Sequence, residues 1–149
     1  MHPVVVATEP PPIARRLGQA GLIPFVVGSG LVWLVSDRNE ALSYVSLGLA
    51  GYAASIVAFL GGVHWGLAMR TAVPGPRSFG WAMVPPLVAW LAMLMPASAG
   101  LVVLGAMLIV CYLVDRSLYL ACELGHWLTL RFRLSAVAAL SCFLAAAGI

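Results

Sequence analysis

Four residues in this chain have side chains that could share a proton, a ligand or an ion inside an otherwise apolar sequence. They are His64, in the stretch FLGGVHWGLAMR (59–70), and Asp115, Trp127 and Arg131, in the stretch DRSLYLACELGHWLTLRFR (115–133). Trp65 stands beside the histidine. A histidine near a carboxylate can shuttle protons, because its charge changes near neutral pH and a neighbouring carboxylate favours the charged form. His64, Trp65, Asp115, Trp127 and Arg131 are therefore the candidate ligand or proton site. The alternative for His64 is a neutral ring at the membrane interface. It lies six residues before Arg70, which must reach water or headgroups, and Trp65 is a typical interface anchor.

Other chemistries find little support in the sequence. There is no GxSxG, HExxH or phosphate loop, so no catalytic residue is assigned. All eight basic residues are arginine, and the absence of lysine excludes Schiff-base chemistry. Cys122 and His126 have helical i, i+4 spacing and, with His64 and Asp115, form the best metal set available. That pair is common by chance, and no metal site is assigned. No cofactor is implied. Cys111, Cys122 and Cys142 are odd in number, well separated and set among apolar neighbours, which points to free thiols.

Composition defines what positions these residues. Of 149 residues, 62% are hydrophobic and 9% charged, against roughly 45–50% and about 25% in soluble domains. A soluble chain of this length could not clothe its surface with so few polar groups. The expected fold class is an all-α membrane protein, a bundle of five transmembrane helices.

The spans are expected at about 17–36, 41–69, 78–95, 97–114 and 134–149, after a flexible N-terminal tail over 1–16 in which Pro10, Pro11 and Pro12 oppose a regular helix. The polar stretch 115–133 reads as a continuation of the fourth helix followed by an interfacial segment. Pro85 and Pro86 should kink the third span. With the N-terminus in the cytoplasm and the C-terminus outside, Arg15, Arg16, Arg70, Arg77, Arg116, Arg131 and Arg133 lie inside and Arg38 alone outside. That bias follows the positive-inside rule. The arginines are thus topology signals, and no nucleic-acid partner is expected despite the net charge of +3. The expected location is a bacterial inner membrane, with the lipid bilayer as the obligatory partner and a membrane protein or second copy as a further one.

Small residues recur along the second span at Gly51, Ser55, Ala58, Gly62 and Gly66, a stripe expected to pack on another helix. His64 would point away from it, about 200° around from Gly62.

The segments GLIPFVVGSGL, YAASIVAFLGGVHWGLAM, VPPLVAWLAMLMP, YLVD and HWLTLRFRLS together resemble the uncharacterised bacterial and mitochondrial membrane family that includes transmembrane protein 69. The resemblance runs from about Gly21 to Ala146. It implies that Tyr52, Ser55, Phe59, His64, Trp65, Asp115, Trp127 and Arg131 occupy motif positions, with His126 standing where the family pattern has a proline. It implies no activity. The five-span tryptophan-rich sensory and translocator proteins share the topology, but their motifs are absent. The functional expectation is a non-enzymatic accessory or interaction component of a membrane complex. The alternative is a protein that holds a quinone, porphyrin or lipid headgroup, or a proton, in a cytoplasmic-face pocket.

Overall fold

The computed structural model describes residues 9–70 and 75–149, the side chain of Pro76 excepted. All regular structure among the described residues is helical: α1 (Pro12–Ala20), α2 (Ile23–Leu34), α3 (Asn39–Arg70), α4 (Pro76–Met93), α5 (Ala97–Ala121) and α6 (Leu128–Ala147). A 3-10 turn, Gly125–Trp127, leads into α6. Among the described residues, four helical stretches are long and apolar enough to cross a membrane: Pro12–Leu34, Asn39–Arg70, Ala97–Ala121 and Gly125–Ala147.

The apolar runs end where the backbone finds a partner, which is not always where charge first appears. α5 runs seven residues beyond the expected boundary at 114 because Asp115 is paired inside the bundle and does not need to reach water. α6 likewise begins six residues before 134, carrying Arg131 inward. The expected flexible tail needs correction over residues 12–16, which form the start of α1; its first eight residues lie outside the described ones. Pro12 takes the first helical position, where a missing N–H costs nothing and a fixed φ suits the helix. The first span is two helices, not one. At the break the Tyr52 hydroxyl donates to the Gly21 carbonyl at 2.8 Å.

α4 continues through Pro85 and Pro86. Proline lacks the N–H that would bond the carbonyl four residues earlier, so Pro86 frees the Ala82 carbonyl. That carbonyl presses on α3 at Gly61, where an added Cβ would lie 2.5 Å from the Ala82 oxygen and 2.8 Å from Pro86 Cδ. The neighbours Gly51 with Met93, Gly61 with Ala82, His64 with Trp81 and Trp65 with Phe79 run in opposite order along the two chains. α3 and α4 are therefore antiparallel and in contact over much of the length of α4.

This corrects the expected packing stripe. Ser55, Gly62 and Gly66 are exposed, and an added Cβ at either glycine meets nothing within 4 Å. Gly51 and Ala58 are half-buried, Gly51 with only the Met93 methyl at 4.0 Å. The buried face of α3 instead carries Ala53, Val57, Leu60, Gly61, His64 and Ala68. Every face of this helix is apolar because lipid lies outside, so residue size alone does not mark the face that meets protein. α3 meets α2, α4, α5 and α6, and α5 meets α3, α4 and α6. Leu101, Leu104, Leu108 and Cys111 of α5 join Val57 of α3 and Cys142 of α6 in the core.

Candidate functional site

Three helices deliver one ionisable group each to the same point. His64 from α3 is 4% exposed and Asp115 from α5 is 1% exposed. Their side chains meet at 2.5 Å between Nε2 and Oδ1. From α6, Arg131 donates to the other carboxylate oxygen, Oδ2, through Nε at 2.9 Å and through a terminal guanidinium nitrogen. Both oxygens of Asp115 are thus occupied. With the carboxylate as acceptor, Nε2 of His64 must carry a proton, which fixes the tautomer of a neutral ring.

Local sequence explains why these side chains converge. On α5, Asp115 continues the buried series Leu104, Leu108 and Cys111, an i, i+4, i+7, i+11 progression on one helical face. His64 continues Val57 and Leu60 in the same way on α3. Arg131 lies four residues before the buried Ser135 on α6, one turn away on the same face. Burial of a lone charge in a bilayer is expensive, and here the cost is met by pairing.

The structure brings together His64, Asp115 and Arg131 of the five candidates. Trp65 is 43% exposed and packs edge-on against Phe79, with ring centroids 4.9 Å apart, away from the carboxylate. Trp127 lines a neighbouring cavity of about 440 Å³ together with Tyr119 and Arg131. His126 stands beside Trp127 and lines a different cavity, next to α1. Arg116 is exposed and forms no part of the cluster.

Two contributors were absent from the candidate set. The ring of Trp81 on α4 stands edge-on to His64 at 6.3 Å, and its Nε1 is buried without a partner among the described residues. Tyr119 is buried one turn past Asp115 and lines a cavity with Arg131. The position of Trp81 at the start of α4 was its sequence signal, and the i, i+4 spacing from Asp115 was that of Tyr119.

A helical bundle with apolar outer faces, whose buried ionic groups are paired with one another, is a multi-pass integral membrane protein. The chain belongs to the family described as a protein of unknown function (DUF3429), whose model matches residues 10–147. It is 38% identical over 89 residues to transmembrane protein 69 of Xenopus tropicalis, an alignment that covers 58% of this chain and 34% of that protein. The chain thus spans about a third of the length of the curated relative it matches. No solved structure matches.

Proposed function

We propose that this chain is a non-enzymatic, five-span protein of a bacterial inner membrane that serves as an accessory or interaction component of a membrane complex. The observation that carries this reading is the full occupation of Asp115. A carboxylate whose two oxygens are held by His64 and Arg131 has little capacity left to activate water or to bind an ion. The cluster acts as a clamp that sets α3, α5 and α6 in one arrangement, leaving the outer faces to do the protein's work.

The fifth span in this reading is α4. Its antiparallel run beside α3 supports a full crossing, although its composition is less apolar than that of the other four. The distribution of arginines supports a cytoplasmic N-terminus and an external C-terminus.

Two measurements test the reading. Single cysteines placed at Arg77, Arg133 and Arg38 of a cysteine-free chain should label from the cytoplasm, the cytoplasm and the outside respectively. Labelling of Arg77 and Arg133 from opposite sides would sink the five-span topology. Purification in a mild detergent should yield a stoichiometric protein partner or a second copy. A lone monomer with no partner after crosslinking in intact membranes would overturn the accessory role.

A further inference from the structure

A cavity of about 360 Å³ opens between α3, α4 and α5 on the His64 side of the ionic cluster. This is within the range of about 300–1,000 Å³ typical of small-molecule sites. Its polar lining is made of His64, Arg77, Ser78, Trp81, Ser117 and Cys122. Among the described residues, no aspartate or glutamate lines it.

Among the described residues, two donors of the lining are unspent, the Trp81 indole and the Arg77 guanidinium, whereas His64 and Ser117 already donate within the chain. The indole Nε1–H of Trp81 is buried and has no hydrogen-bond partner among the described residues. Buried donors in native proteins are nearly always satisfied, and one left open beside a cavity points to an acceptor from outside the chain. Arg77 is exposed and has no carboxylate partner among the described residues. Ser117 donates its own proton to the Val114 carbonyl at 2.8 Å. The other cavities differ. The two beside Arg131, of about 290 and 440 Å³, are mostly apolar, and their one cation is already held by Asp115. A further cavity, of about 700 Å³, includes Glu9 beside Arg15.

One guanidinium and one indole N–H suit a phosphate oxyanion, and no carboxylate stands there to pair with an ammonium group. Leu67, Val114 and Leu118 supply apolar walls to the same cavity, where acyl chains would run. We propose that this cavity binds the phosphodiester of an anionic, amine-free glycerophospholipid, with Arg77 and Trp81 as its donors.

The test uses the full chain in a neutral detergent, titrated with phosphatidylglycerol or phosphatidylcholine and read by native mass spectrometry. Phosphatidylglycerol should bind about tenfold more tightly, and Arg77→Gln and Trp81→Phe should each weaken it by about tenfold. Trp81→Phe loses no hydrogen bond among the described residues, only part of a ring packed against the core, so the lipid-free variant should still fold and melt cooperatively. Arg116→Gln, which removes a charge outside the cavity, should bind as the parent does. Equal binding of the two lipids, unchanged binding by Arg77→Gln and Trp81→Phe, or equal losses from Arg116→Gln and Arg77→Gln would overturn the proposal. Displacement of the lipid by an equal concentration of glycerol 3-phosphate would overturn the lipid assignment in favour of a soluble phosphate ester.

Discussion

His64 and Asp115 are 51 positions apart in the chain and meet at 2.5 Å, each almost wholly buried, with Arg131 closing the far side of the carboxylate. The contact fastens α3 to α5, and the arginine fastens both to α6. Removing one member of a buried ion pair leaves the other charge unpaired, at a cost of about 3–5 kcal/mol. Asp115→Leu and Arg131→Leu should each destabilise the bundle by about that much, and the double variant by clearly less than the sum. Denaturant or thermal unfolding in detergent measures the cycle, and additive losses would show that the pair is not a coupled clamp.

Two adjacent glycines on α3 should respond with opposite sign. Gly61→Ala would place a methyl 2.5 Å from the Ala82 carbonyl oxygen, against rigid backbone, so α3 and α4 must separate. A loss of about 1–3 kcal/mol is expected, as for other overpacked interiors. Gly62→Ala meets nothing within 4 Å. It should be neutral or stabilise by up to about 1 kcal/mol through helix propensity. Melting temperatures of the two variants check the contrast, and a matching loss at Gly62 would place the seam on the wrong face.

The end of α5 carries a removable strain. Leu124 N–H bonds the Tyr119 carbonyl at 2.7 Å and Glu123 N–H bonds that of Leu120 at 3.4 Å, the paired bonds of a Schellman cap. Glu123 occupies the left-handed position of that cap with φ 58°. A side chain there costs about 1–2 kcal/mol that glycine avoids. Glu123→Gly should therefore raise stability by about 1 kcal/mol, which a shift in unfolding midpoint would reveal.

The three thiols should separate by access. Cys122 is exposed at the end of α5, whereas Cys111 and Cys142 are buried in the core. A water-soluble maleimide should modify one cysteine per folded chain and three after denaturation. Rapid labelling of Cys122→Ser in the folded state would contradict the packing of α5 against α6.

Much of the bundle was legible from composition and spacing. Unbroken apolar runs and arginine breaks bounded α3 to within two residues of its observed ends, Asn39 and Arg70. Alternation of the spans put His64, Asp115 and Arg131 at the same end of the bundle before any contact was known. The boundaries at 114 and 134 were set too close to the apolar runs, because a charge in sequence looks like a helix end whether or not it has a partner.

What a linear sequence carries in a membrane protein is the match between apolar length and bilayer thickness, together with the side on which arginines collect. It does not carry the inward face of each helix, since lipid and protein neighbours are equally apolar. That is why Gly62 looked like the seam when Gly61 holds it, and why Trp65 looked like the site when Trp81 stands beside His64. Tertiary packing decided those choices. It made the Ala82 carbonyl a neighbour of Gly61, and it joined ionisable groups from three helices into one paired cluster that none of those helices could bury alone.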